Sequence, residues 1–214
     1  MNISLNYTST DFSKLNLTDT SNETDWKEAV EIFEDRYSNR FINPILELAT
    51  NKKLSIWEYS GFAIMALNCL LIETLNQFYY GVNDTNEIKN DISITHINSI
   101  EDAFVDFFTK SKHFNTSFKD KESRIFYLQV RCGLLHQAET KKSSTIHIKS
   151  EQPEIVVLTN TGQLNEGISI RRDLFTTQLV EEYNDYKKRL LLPVNTDLRK
   201  HFIIKMTHIC NDSK

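Results

Sequence analysis

Ser55-Ile-Trp-Glu-Tyr-Ser-Gly-Phe-Ala-Ile-Met-Ala-Leu-Asn-Cys-Leu-Leu-Ile-Glu-Thr-Leu-Asn-Gln-Phe-Tyr-Tyr80 is the most apolar stretch of the chain, and its reading decides the fold. Phe62, Ile64, Met65, Leu67, Leu70, Leu71, Ile72, Leu75 and Phe78 are spread almost all round a helical wheel. A helix apolar on nearly every side must be central. Gly81 is placed to cap its C-terminus, and Asn83-Asp84 begins a polar loop. The apolar run Phe62 to Ile72 is interrupted by Asn68 and is shorter than the ~20 residues a membrane span needs, so no span is expected.

Outward from this helix, the apolar period of 3.6 recurs. Trp26, Ala29, Val30 and Phe33 follow a cap at Thr24-Asp25 and predict a first helix to about Asn39, with Pro44 kinking or restarting it. Ile100, Phe104, Phe107 and Phe108 predict a third helix, and Ile125, Phe126, Leu128, Val130, Leu134 and Leu135 a fourth, from about Lys121 to Ala138. Four such helices make a bundle.

The flanks read differently. Residues 1–22 are rich in Asn, Ser, Thr and Asp without a sustained period, which suggests a loosely ordered leader. They also have no positive n-region or apolar h-region, so a signal peptide is not expected. After Lys141, Thr145-Ile-His-Ile-Lys149 alternates, Ile155-Val-Val-Leu158 is β-branched, and a turn at Asn160-Thr-Gly162 precedes Ile168-Ser-Ile170, the pattern of a small antiparallel sheet. Helical spacing returns at Arg172 to Leu192, which Pro193 stops, and at Thr196 to Cys210. The expected class is therefore mainly α, divided into a leader (1–22), a helical bundle (23–142), and a small sheet plus C-terminal helices packed on the bundle (143–214).

Composition limits the function. The net charge of -4 argues against a surface that attracts nucleic acid as a whole, so any RNA site must be a local groove. Cys69, Cys132 and Cys210 are odd in number and have no zinc-site spacing, which fits a reduced, cytoplasmic setting and no metal. His113 and His147 are expected at the surface, His201 and His208 lie in the terminal helix without a matching carboxylate cluster, and no metal or cofactor is expected.

One segment carries chemistry. Phe126-Tyr127, followed by Val130-Arg-Cys-Gly-Leu-Leu-His-Gln-Ala-Glu139, resembles the Arg-x4-6-His signature of HEPN domains. Arg40-Phe-Ile-Asn-Pro44 and the segment from Gly61 to Glu73 are also similar to bacterial members, so the resemblance covers roughly residues 26–140. It implies a HEPN-like four-helix bundle with the motif at the end of the last core helix. It further implies a metal-independent endoribonuclease acting in phage defence or as a toxin, as a homodimer, with an antitoxin or regulatory protein as a further partner. Many members have a strongly polar residue after the Arg, where this chain has Cys132.

The residue types suit that reaction. RNA cleavage through the ribose 2′-OH needs a base, and a His with a pKa of about 6.5 serves near neutral pH. It also needs a cation for the charge that grows on phosphorus, and Arg offers a permanently charged fork. His136 and Arg131 are the catalytic candidates. On a straight helix they lie roughly 140° and about 7.5 Å apart, a poor site for one chain. Either Gly133 lets the helix distort, or two motifs face each other across a symmetric dimer; the resemblance implies the second.

Supporting roles are expected from Glu73, as an ion-pair partner that orients Arg131, and from Asn68, Cys132 and Gln137; Glu139 is a weaker candidate. Lys110, Lys112, Lys119, Lys121 and Arg124 precede the motif and Lys141 and Lys142 follow it, as a basic groove for RNA, with Phe114, Phe118 or Tyr127 available for stacking. The rival readings are a non-catalytic HEPN module that binds nucleotide, RNA or a protein partner, and a structural adaptor in which Arg131 pairs with Glu73 and His136 merely ends a helix.

Overall fold

A computed structural model describes residues 1–90, 94–148 and 151–212. The central helix is α5, Gly61–Tyr80, closed by Gly81 in the left-handed conformation at φ 65. It is preceded by α1 (Ser9–Lys14), α2 (Glu23–Tyr37), α3 (Asn43–Ala49) and α4 (Leu54–Tyr59), and followed by α6 (Thr85–Asn90), α7 (Ile100–Lys110), α8 (Asp120–Ile125) and α9 (Cys132–Gln137). Three strands then intervene, β1 (Thr145–His147), β2 (Val156–Thr159) and β3 (Gly167–Arg171), before α10 (Arg172–Leu190) and α11 (Thr196–Asp212). The fold is mainly α with a small sheet.

The apolar helix predicted from Ser55 is broken at Ser60, and the cause is visible. In an unbroken helix the Trp57 carbonyl would accept from the Gly61 N–H. Here it accepts from Arg172 Nη2 at 2.7 Å and Ser60 Oγ at 3.3 Å. Pro44 has the expected effect in another form: the turn before it, Ser38–Ile42, widens to a π-helix, because the proline ring cannot sit against a carbonyl four residues back. The first long helix is capped by Asn22, whose side chain accepts from the Asp25 N–H at 3.0 Å, so the expected Thr24-Asp25 cap lies inside the helix.

Residues 1–22 differ from the loosely ordered leader expected of them. Thr8 and Asp11 form a reciprocal capping box on α1, and Ile3 and Phe12 are buried. Arg199 of α11 donates to the Asp19 carbonyl at 3.0 Å and lies 4.4 Å over the Trp26 ring. Two buried side chains and a cap in so short a polar segment leave no 3.6 period to detect.

The sheet is mixed, not antiparallel throughout. Its order is β1-β3-β2; β2 pairs antiparallel with β3, whereas β1 pairs parallel with it, Ile146 opposite Ile170. Alternation specifies which face is buried but not direction, so only the β2–β3 hairpin was predictable. Lys149, expected to end the first strand, lies outside the described residues.

One apolar core runs through residues 23–142 and 143–214 alike. Around α5, Phe33, Tyr37 and Phe78 meet Tyr183, Tyr186 and Phe202 of the last two helices. A second aromatic knot joins Phe104, Phe108, Phe114, Phe118, Phe126 and Phe175. The C-terminal helices thus complete the core instead of decorating a finished bundle. Among the described residues α5 is the one helix long and apolar enough to cross a membrane, and half of it is buried inside the protein, as suits a core helix.

Candidate functional site

The motif lies on one continuous helix made of α8, a π-helical turn at Phe126–Arg131, and α9. In the widened turn the Cys132 N–H reaches back to the Tyr127 carbonyl. The Gln129 carbonyl is taken by the returning chain, accepting from the Lys141 N–H at 2.9 Å, and its side chain bonds both the Glu166 carbonyl and Ser144 Oγ, each at 2.8 Å. π-turns of this kind recur at functional sites. Nothing in the sequence announces this one, because no proline or glycine lies in it.

Gly133 has a different part from the one expected of it. The helix is regular from Arg131, with φ -60 and ψ -53, to the left-handed Ala138 that ends it. The Arg131 to His136 arithmetic therefore stands, and Gly133 does not draw the two together. Its missing Cβ instead makes room for the chain as it turns back: a methyl there would lie 2.3 Å from the Glu139 carbonyl oxygen. Gly133→Ala is expected to lower stability by about 1–3 kcal/mol and to displace the end of α9, seen as a lowered denaturant midpoint at unchanged slope.

Arg131 turns inward. Its Nε and Nη2 both reach Glu73 Oε1 of α5, at 2.6 and 2.5 Å, with both side chains largely buried. The Cys132 thiol lies against the guanidinium, and the Tyr127 ring lies 5.6 Å beneath it. Burial works against the arginine's charge, but the Glu73 carboxylate outweighs it and holds the group above its ordinary value. Burial, then the Cys132 thiol and Glu73, push the Tyr127 hydroxyl up to about 12. Below, burial and then Glu73 hold the Cys69 thiol well above the ordinary thiol range, so it is protonated and inert near neutral pH. Glu73→Gln would leave the guanidinium half-buried beside a neutral amide. It is expected to cost about 1–3 kcal/mol in chemical denaturation, since one charged partner of a shielded pair is lost.

His136 points the other way. It is exposed and forms no hydrogen bond or ion pair among the described residues. Gln137 and Glu139 beside it are also exposed. Asn68 does not join the group: its amide donates to Thr176 Oγ1 of α10 at 2.9 Å. Five residues separate it from Glu73, so the two point to different sides of α5.

The expected basic groove is largely neutralised from within. Lys110 pairs with Asp106 at 2.8 Å, Lys112 with Asp185 at 2.5 Å and Lys121 with Glu166 at 2.7 Å. Arg124 is held by Glu101, Asp102 and Asp120, while Lys119 donates to the Asn115 carbonyl. Phe114 and Phe118 are fully buried in the aromatic knot and cannot stack on a base. Asp106 and Asp120 are helical i,i+4 neighbours of Lys110 and Arg124, whereas Asp185 of α10 and Glu166, just before β3, are partners that a linear reading cannot place beside Lys112 and Lys121. Lys141 and Lys142 form no ion pair among the described residues and lie next to the motif's exposed end.

Two cavities lie elsewhere. The larger, about 340 Å³, is bordered by α5, α7, α10 and α11 and contains neither Arg131 nor His136. Its buried carboxylates are already engaged: Glu182 accepts from Tyr79 and Ser111, and Asp106 from Tyr80, each at 2.5 Å. Among the described residues no three His, Cys, Asp or Glu side chains are grouped to hold a metal ion. Compared with family models, with curated proteins and with solved structures, the chain has no match.

Proposed function

We propose that this chain is a metal-independent endoribonuclease of the HEPN type, in which His136 deprotonates a ribose 2′-OH and Arg131 stabilises the pentacovalent phosphate. Attack of the 2′ oxygen on phosphorus expels the 5′ oxygen of the next nucleotide and leaves a 2′,3′-cyclic phosphate. The observation that carries this reading is the Glu73–Arg131 pair: Glu73 takes Nε and Nη2, fixing the fork, while among the described residues Nη1 has no hydrogen-bonded oxygen. A guanidinium fixed by one edge and open at the other is ready to receive a phosphate oxygen.

The working site is a composite of two motifs in a homodimer, because one helix directs Arg131 and His136 to different sides. The exposed apolar side chains of Leu46, Ile56, Phe62 and Leu70 support this arrangement. They lie on α3, α4 and α5, which pack on one another, and Leu128 is exposed on the motif helix. Residues 143–214 then act as part of the scaffold through α10 and α11. A role in phage defence or as a toxin in the cytoplasm, held by an antitoxin or regulatory partner, follows from the same resemblance. The test is incubation of the purified chain with total RNA in EDTA, followed by mapping of the ends. Cleavage with 2′,3′-cyclic phosphate ends is expected; intact RNA, or ends bearing a free 3′-OH, would refute the proposal.

A further inference from the structure

At the far end of α5 a guanidinium is buried without a counter-ion. Arg172, the first residue of α10, is 3% exposed. Its Nη2 donates to the Trp57 carbonyl, while Nη1 is buried with no partner. The adjacent acid is not available to it: Arg171 takes Asp173 through Nη2 at 2.5 Å and Nε at 3.2 Å. Burial holds the Arg172 guanidinium below its ordinary value, only partly offset by Asp173. An unpaired charge in such a place is costly unless an anion reaches it.

A cavity of about 300 Å³ lies at that point, lined by Arg172, Gly61, His147, Trp57 and Glu58. Two further sources of donors border it. The twenty-residue α5 begins here with Gly61 on the cavity wall, Ser60 provides no side-chain cap, and among the described residues the N–H groups of Gly61, Phe62 and Ala63 have no backbone acceptor. This is the positive end of the helix. On β1, His147 Nε2 lies 2.7 Å from Ser169 Oγ, and Nδ1 is buried without a partner. Ser169 Oγ also accepts from the Thr145 hydroxyl at 3.4 Å; in the tautomer in which His147 Nε2 accepts from Ser169, Nδ1 carries the proton and is a donor. Gly61 keeps the space open, since a Cβ there would stand 3.1 Å from Arg172 Nη1. Glu58 is exposed and forms no ion pair among the described residues.

We propose that this cavity binds a phosphoryl anion, held by Arg172 Nη1, the His147 Nδ1–H and the amides that open α5. Donors from a side chain of α10, a strand and a helix end converge from separate elements, which suits a tetrahedral group with several acceptor oxygens better than a planar carboxylate. Gly61 precedes Glu73 by twelve residues, about 18 Å along the axis. The site is thus separate from the Arg131 pair and stands whether or not the chain cuts RNA.

The test is titration of the full ¹⁵N-labelled chain with inorganic phosphate at constant ionic strength, repeated with dimethyl phosphate as a diester that no nuclease step consumes. Saturable shifts of the Gly61 and Phe62 amides and of the Arg172 Nε–H are expected. Arg172→Gln and Gly61→Ala should each weaken binding about tenfold or more, and the second keeps the guanidinium should the first fail to fold. Saturation by inorganic phosphate alone supports the site and assigns it to a free or terminal phosphate. Saturation by dimethyl phosphate as well supports it and assigns it to a backbone phosphate. Shifts that do not saturate, binding unchanged in both variants, or binding that appears only in Glu58→Gln would overturn the proposal, the last because Glu58 would then fill the cavity itself.

Discussion

His136→Ala is expected to abolish RNA cleavage, by about 10²- to 10⁴-fold, while leaving the thermal midpoint where it was. The two halves of this expectation have separate physical grounds. The imidazole is exposed and has no hydrogen-bond or ion-pair partner among the described residues, so its removal exposes no apolar core and strands no buried polar group. Its loss still deprives the 2′-OH of its base. Arg131→Ala should remove a comparable share of activity with a different stability signature, because it leaves Glu73 as a shielded carboxylate without its cation. Parallel rate and denaturation measurements on the two variants separate a catalytic pair from a structural one. If Arg131→Ala lowers stability while both variants cut RNA as the wild type does, Arg131 is a strut and His136 a helix end.

Phe108→Ala should lower unfolding free energy by about 3–5 kcal/mol, more than Gly133→Ala or Glu73→Gln. Phe108 is fully buried, stacked on Phe118 at 4.2 Å and edge-on to Phe126 at 5.1 Å. Phe126 in turn stacks on Phe175 of α10 at 5.2 Å, so the cavity would open where the motif helix and the C-terminal segment join. The aromatic walls come from different elements and cannot all collapse into the void. Urea denaturation would measure the loss. A change under about 1 kcal/mol would mean that the knot is loosely packed.

Much of the fold is legible in the sequence because helices declare themselves by local period. The presence of α5 and α7 and the extents of α10 and α11 follow from apolar spacing, and Gly81 and Pro193 mark ends by backbone chemistry alone. Features set by distant partners are not legible. The break at Ser60 depends on Arg172, more than a hundred residues away, and the burial of Phe12 depends on Phe202 of α11. The parallel pairing of β1 leaves no trace in its own alternation.

The candidate site divides in the same way. Glu73 with Arg131 could be anticipated, since a carboxylate in an otherwise apolar helix needs a cation. The quenching of Lys112 and Lys121, and the departure of Asn68 toward Thr176, could not, because each depends on where another element lies. Gly133 was legible as a special position but not as a space-maker for Glu139. The unpartnered Nη1 of Arg172 had no signal in the sequence at all.

The central claim is that Arg131 of one chain and His136 of another complete one site. Mixing Arg131→Ala with His136→Ala under conditions that exchange subunits tests it most directly, alongside wild-type chain and each variant alone, with cleavage of a labelled RNA in EDTA as the readout. Random pairing puts about half the dimers in the mixed state, each with one intact Arg131–His136 combination, so the mixture of two inactive variants should recover roughly a quarter of the wild-type rate. A mixture as inactive as its components, beside an active wild type and with subunit exchange demonstrated, would place both groups within one chain and contradict the composite site.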